Sequence, residues 1–195
     1  MGVSTLPRGR RVNSSGERSK KLLLEKATEL FSKNGYHKTK ISDIVKSANL
    51  TQPTFYLYFE NKESLYNDLI SQFKNNFLET INRIQSEADE GNIVENIHRN
   101  LTILFRFFES KPHLTKIGYY QTEEADKLKE RFSDLIEEVL KDRAEFADYD
   151  IRIVAHSLVG AIERLTLTLL FTKEREPEQL ASEIINLYFA RNFVK

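Results

Sequence analysis

Apolar residues recur at helical spacing along most of the chain. Leu23, Ala27, Leu30 and Phe31, with Lys and Glu between them, predict a helix over residues 17–33. Asn34-Gly35 supplies a left-handed stop after it. A second, short helix follows, with Thr39 as its cap and Ile41, Ile44, Val45 and Ala48 on its inner face. Asn49-Leu50 is a tight turn, because Asn tolerates left-handed backbone. Thr51 caps a third helix that runs to about residue 59. Pro53 lies in its first turn, where no intrahelical donor is lost, and Glu60-Asn61 breaks it.

A longer helix starts at Lys62, with Leu65, Leu69, Phe73, Phe77, Ile81 and Ile84 as its apolar stripe. A break at residues 89–92, around Gly91, separates it from a helix over 93–110 that is unusually apolar at Ile103-Leu104-Phe105 and Phe107-Phe108 and ends at Pro112. A short segment, 113 to about 120, precedes a charged amphipathic helix over 123–143 with Leu128, Phe132, Leu135, Ile136 and Leu140 inward. Residues 151–171 are apolar nearly all round. Pro177 opens a last helix, 178 to about 192, with Leu180, Ile184, Leu187 and Tyr188 in register. With no alternating strand pattern and no internal repeat, the chain reads as all-α with roughly nine helices.

Composition adds limits. The 195 residues are 40% apolar and 30% charged with only 7 Gly and 4 Pro, a soluble, helix-rich globular balance. There is no Cys, which excludes disulfides, thiolate metal sites and Cys nucleophiles and fits a reducing cytoplasm. No apolar run follows the basic start, so no signal peptide is expected. The run at 151–171 contains Arg152, His156, Glu163 and Arg164, so it is read as a buried helix and no membrane partner is expected. His156 within it is expected in core or interface. The net charge of zero conceals an asymmetry: residues 1–62 hold 12 Lys/Arg against 5 Asp/Glu, and residues 63–195 hold 17 against 24. A basic front suits a polyanion and an acidic rear does not. Within the front, residues 1–16, with Pro7, Gly9, Gly16 and a cluster of Arg8, Arg10 and Arg11, are expected to form a disordered basic arm, either a minor-groove contact or a plain tail. The expected divisions are 1–16, 17–62 and 63–195.

Three short helices with a tight turn between the last two make a helix-turn-helix over about residues 39–62, on a core of Leu23, Ala27, Phe31, Ile41, Ile44, Ala48, Phe55 and Phe59. Phe55 and Phe59, four apart, hold the third helix down and leave its start free to enter a DNA groove. Gln52 can pair both edges of an adenine, Pro53 can touch a thymine methyl, and Thr54 offers a hydroxyl and a methyl. Tyr56 and Tyr58 can reach phosphates or pack as edges of the core. Lys38, Lys40, Lys62 and the backbone near Thr39 can meet neighbouring phosphates, which position the domain without specifying sequence. Leu57 falls outward, where a polar face is expected.

The run Asn34-Gly35-Tyr36, Thr39-Lys40-Ile41-Ser42-Asp43-Ile44 and Ala48-Asn49-Leu50-Thr51-Gln52-Pro53-Thr54-Phe55-Tyr56-Leu57-Tyr58-Phe59-Glu60-Asn61-Lys62-Glu63-Ser64-Leu65 closely resembles the TetR family of bacterial regulators. The motif covers about residues 17–66, and the rest matches in helix number and length. Lys40 stands where the family usually has a second Thr, and Asn49 and Pro53 where it often has Gly. The first two keep the geometry, and Pro53 alters which bases are favoured. The resemblance implies a nine-helix, two-domain fold with a C-terminal ligand-binding and dimerisation domain. It implies a homodimeric, ligand-responsive factor, usually a repressor, bound to double-stranded DNA in the bacterial cytoplasm. Its base-reading positions fall on Gln52, Pro53, Thr54 and Tyr56, and its phosphate-contacting positions on Thr39, Lys40, Thr51, Tyr58 and Lys62.

By the same analogy the C-terminal helices enclose an effector pocket that Phe73, Phe77, Phe105, Phe108, Tyr119, Tyr120 and Phe132 can line, suited to an apolar or amphipathic molecule. These aromatics equally suit an ordinary core. The last two helices are the expected dimer interface, since the penultimate one is too apolar for a chain's free surface. An enzyme is disfavoured: there is no Walker, GxGxxG, Gly-x-Ser-x-Gly or His-Glu-x-x-His pattern, and His37, His98, His113 and His156 lack ligand spacing. No cofactor or metal is expected. An adaptor that keeps the fold without binding DNA is a third reading, set against by the intact reader residues.

Overall fold

The computed structural model describes residues 10–87 and 92–188. Among them the chain is all-α, with nine α-helices: α1 Arg10–Asn34, α2 Ile41–Ser47, α3 Gln52–Tyr56, α4 Lys62–Ser86, α5 Ile93–Ser110, α6 Pro112–Thr115, α7 Ala125–Leu140, α8 Ile151–Leu165 and α9 Pro177–Tyr188. α6 and α8 each run on into a π-helical turn, Lys116–Gln121 and Thr166–Leu170. At the second, the Thr166 hydroxyl donates to the Ile162 carbonyl (2.7 Å) and the Phe171 amide donates to the Thr166 carbonyl, five residues back (3.0 Å).

Several boundaries differ from the sequence expectation. α1 starts at Arg10, so residues 10–16 of the expected arm are helical and residues 1–9 lie outside the described residues. Gly16 weakens a helix by about 1 kcal/mol relative to Ala but does not end one that is otherwise well formed. α3 stops at Tyr56 because the Tyr58 and Phe59 amides both close on the Phe55 carbonyl (3.0 Å each). The expected break around Gly91 and the end of the last helix near residue 192 also lie outside the described residues. Asn92 caps α5 by accepting from the Val94 amide (2.9 Å).

The chain divides into two compact units at Gln72/Phe73, later than the division expected at Lys62. In the first unit, Leu23, Ala27 and Phe31 of α1 pack with Ile44, Val45, Ala48, Phe55 and Phe59, and Leu65 and Leu69 of α4 complete the core. Ile41, expected inside, is only half-buried. In the second unit, α5 packs on α9 and α7 on α8. Its centre is aromatic. Phe73, Phe77, Phe107, Phe108, Tyr119 and Phe132 form one ring-to-ring cluster, with Phe77 and Phe108 stacked at 6.2 Å. Gly118 is buried beneath it, and a Cβ there would lie 2.2 Å from the Phe73 ring. Gly118→Ala should therefore cost about 1–3 kcal/mol by overpacking, read as a lower urea midpoint with an unchanged slope.

The run Ile151–Leu170 is long and apolar enough to cross a membrane by length and composition, yet within one chain only about a third of it is buried, so the chain alone does not supply the burial expected at 151–171. One side of it packs through Ala155, Leu158, Val159 and Ile162, and the other presents Ile153, His156, Ser157, Gly160 and Arg164 to solvent. Positions three and four apart share a face, so an all-round apolar sequence still divides into a packed and an open side. His156 accordingly lies on the open side and not in the core.

Candidate functional site

The frame around residues 39–62 follows from its local sequence. Gly35 takes φ +84° and closes α1, its amide donating to the Phe31 carbonyl (2.9 Å). Asn49 takes φ +53° at the end of α2. The Leu50 amide donates to the Val45 carbonyl (2.8 Å) and the Asn49 amide to the Lys46 carbonyl (3.1 Å), a paired C-terminal cap that sets the turn into α3. Thr51 then caps α3, its hydroxyl accepting from the Thr54 amide (3.4 Å) and lying 2.9 Å from the Thr54 hydroxyl. The buried rings of Phe55 and Phe59, 5.5 Å apart, anchor the segment from below.

Above that anchor, Gln52 and Pro53 are exposed, and Tyr56 and Leu57 are 56% and 76% exposed. Thr54 is half-buried, and its hydroxyl is engaged with that of Thr51. Tyr58 is also half-buried, its hydroxyl against Gly16 of α1, where a Cβ would stand at 3.3 Å. Lys38 and Lys40 are exposed. Of the side chains expected to read bases, Gln52, Pro53 and Tyr56 are thus open while Thr54 is half-covered, and Leu57 stands with the open ones as the most exposed large apolar side chain among the described residues of this unit.

Two expected positions are placed otherwise. The cap of α2 is Lys40, whose amide donates to the Asp43 carboxylate (3.0 Å); Thr39 sits one residue too early for that role. Thr39 is 1% exposed and its hydroxyl donates to the Gly35 carbonyl (2.9 Å), so its side chain ties down the turn and faces inward. Lys62 is half-buried. Its ammonium donates to the carbonyls of Tyr36 (2.8 Å) and Thr39 (2.9 Å) and lies 4.2 Å from the centre of the Tyr36 ring. Tyr36 is in turn held by Tyr66, with ring centres at 4.6 Å. The lysine thus spends two of its three N–H donors bracing the α1–α2 connection. Reading residues one at a time gave no sign of this; the separation of 26 residues between Lys62 and Tyr36 hides it.

In the second unit, α4, α5, α7 and α8 surround a cavity of about 130 Å³. Its walls are largely aliphatic, with Ile81, Leu101, Leu104, Leu135 and Leu158 among them, joined by Phe132. Asn100 and Gln85 are its polar members, and no charged residue lines it. Of the seven aromatics expected around a pocket, Phe132 lines this one. Phe73, Phe77, Phe105, Phe108 and Tyr119 are instead buried in the core beside it, where aromatic rings fill space that would otherwise be open. Tyr120 is half-buried and donates to the Glu163 carbonyl (2.8 Å). Burial pushes the hydroxyls of Tyr119 and Tyr120 well above the usual phenol range, so both stay neutral. Lys129 lies over both rings and pairs with Glu163 at 2.8 Å.

The open side of α8 continues onto α9, where Leu187 is 77% exposed, as Ile153 on α8 is 67% exposed. The Ser157 and Tyr188 hydroxyls, 3.0 Å apart, join the two helices at that surface. Among the described residues, no group of three or more His, Asp or Glu is placed to hold a metal ion.

Residues 23–69 match the model of the bacterial regulatory proteins of the tetR family. An HTH-type transcriptional regulator of Bacillus subtilis, YdgC, is 34% identical over 184 residues, which cover 90% of this chain and 93% of that protein. DhaS of Lactococcus lactis, the transcriptional activator of the dhaKLM operon, is 26% identical over 183 residues, 89% of this chain and 90% of that one. Among solved structures, a TetR-like transcriptional regulator from Rhodococcus sp. RHA1 superposes with a TM-score of 0.75 at 22% identity, over 98% of this chain and 100% of that chain.

Proposed function

The chain belongs to the TetR family of bacterial transcriptional regulators, and from that premise we propose that it is a homodimeric repressor, released from a palindromic operator by a small effector. The family consists of DNA-binding proteins and not enzymes. The observation that carries the reading is the open face of Gln52, Pro53, Tyr56 and Leu57, held by a capped turn on a buried Phe55–Phe59 anchor. Gln52, Pro53, Thr54 and Tyr56 read base edges; Lys40, Thr51 and Tyr58 contact phosphates; Leu57 supplies an apolar contact to a thymine methyl or a sugar. Thr39 and Lys62 act on DNA through the backbone they hold in place. Two readers on a two-fold axis call for half-sites about one DNA turn apart or wider, on the order of 34–36 Å.

The dimer forms through the open sides of α8 and α9, with Ile153 and Leu187 as apolar contacts and Gly160 permitting close approach. The effector occupies the cavity. Phe132 on its wall meets the Phe77 ring of α4 edge-on at 5.9 Å, so occupancy presses on the helix that begins at Lys62. Release requires the effector to bind the operator-free arrangement better than the bound one.

Footprinting of the full-length protein on the DNA upstream of its own gene tests the reading: a protected palindrome is expected at low salt. Protection no stronger than on random duplex would sink it. On that site Gln52→Ala should cost about 1–3 kcal/mol and relax preference at one base position per half-site, measured by competition with single-base operator variants. A transcription assay fixes the sign, which an activator such as DhaS shows is not uniform among relatives.

A further inference from the structure

We infer that the operator is read through thymine methyls: about two or three successive A·T pairs in each half-site lie against α3, with Pro53 and Leu57 on the methyl groups, Gln52 on an adenine, and no guanine in base contact. The proposal rests on the reading of the chain as an operator-binding dimer and names the bases it selects.

Three observations converge. The first is the absence of a guanine reader. Guanine is most often taken by a forked arginine or by a lysine. No Arg occurs between residues 19 and 82, and no Lys, Arg or His between residues 47 and 61. The next cation, Lys62, is committed to the Tyr36 and Thr39 carbonyls. The exposed Lys38, Lys40 and Lys46 lie on α2 or just before it, the part of a helix-turn-helix that crosses the phosphates. Nor does α3 carry a carboxylate for the cytosine amine.

The second is how little polar capacity α3 has to spend. The Thr54 hydroxyl is paired with that of Thr51, 2.9 Å away. The Tyr56 hydroxyl donates and accepts alike, so it discriminates poorly between bases. Gln52 is the only side-chain amide of α3, and its two ends match the N6 and N7 edge of adenine. The third is what remains open. Leu57 caps α3 with its backbone still helical (φ −70°, ψ −21°), so Pro53 and Leu57, four apart, share one side of the helix. Both are exposed. From Gln52 to Leu57 the helix advances about 7.5 Å, or roughly two base-pair steps. The apolar group that the major groove offers within that reach is the thymine methyl, and covering Leu57 with it takes apolar surface out of water on both sides.

Selection of bound duplexes from a random pool by the full-length protein, at one fixed salt concentration, should return palindromes with a run of A·T pairs in each half-site. Each thymine of the selected duplex is then replaced in turn by deoxyuridine, which removes the C5 methyl alone, and affinity is read by fluorescence anisotropy. One or two thymines per half-site should each cost about three- to tenfold. At one of them, Leu57→Ala should lose a similar factor on the thymine duplex and nothing further on the deoxyuridine duplex, because the two changes remove the two sides of one contact. An unchanged thermal midpoint verifies that this exposed position leaves the fold intact. At the same position 5-methylcytosine should bind at least about threefold tighter than cytosine. Enriched half-sites that lose affinity when guanine is replaced by 7-deazaguanine, which lacks the N7 acceptor, overturn the proposal and leave the operator reading standing. So does indifference to every deoxyuridine, or deoxyuridine losses that persist unchanged in Leu57→Ala, which put Leu57 on a sugar. Failure to enrich any sequence overturns both the proposal and the operator reading.

Discussion

Changing both Ile153 and Leu187 to Asp should leave a folded monomer whose operator affinity is lower by at least about 100-fold. Both side chains are largely open in the single chain and pack on little within it, so a polar replacement there costs the fold itself no more than about 0.5 kcal/mol. In a two-fold interface each substitution counts twice, and four buried carboxylates would face a surface built for apolar contact. Operator affinity then collapses for a reason remote from the reader: one half-site is bound without the second being delivered at high effective concentration. Sedimentation equilibrium gives the mass, and fluorescence anisotropy on an operator duplex gives the affinity. A double variant that stays dimeric, or a monomer that keeps its operator affinity within a few-fold, would refute the assigned interface.

Lys62→Met should lower stability by about 2–4 kcal/mol and the thermal midpoint by roughly 5–15 °C. Methionine keeps most of the stem but loses the two hydrogen bonds to the Tyr36 and Thr39 carbonyls and the contact with the Tyr36 ring. Operator binding should weaken by a similar factor at every salt concentration, because the loss is one of frame and not of phosphate neutralisation. A direct phosphate contact predicts something else: unchanged stability and a log–log salt slope shallower by about 0.9. Measuring the midpoint together with the salt slope separates the two roles, and the second pattern would show that the brace is incidental.

How far the sequence was readable depends on how local each determinant is. The helices were visible because their apolar spacing is local, and the turns because Gly35 and Asn49 carry their left-handed backbone within their own residue type. The exposed face was visible for the same reason: Phe55 and Phe59 point down from one short segment, which leaves Gln52, Pro53 and Tyr56 no side but the outer one. Lys62 was not readable in this way, since its partners lie far back along the chain. Nor was the division between lining and core among the aromatics. Phe73 and Phe132 look alike in sequence, yet one closes on Gly118 and the other borders a cavity, an outcome set by four helices at once. α8 shows the converse limit. Its apolar composition fitted a buried helix, while the packing of α7 on one side only left Ile153 open.

The separation of buried anchors from exposed positions across residues 49–59 has an evolutionary consequence. Phe55 and Phe59 carry the packing, Asn49 and Thr51 carry the backbone path, and Gln52, Pro53 and Leu57 project into solvent. Exposed positions of this kind exchange at little cost to stability. On the proposed reading, mutation can therefore retarget the protein to a new DNA sequence without first passing through an unfolded intermediate genotype, whereas drift at the anchors is purged before any change in target is tried.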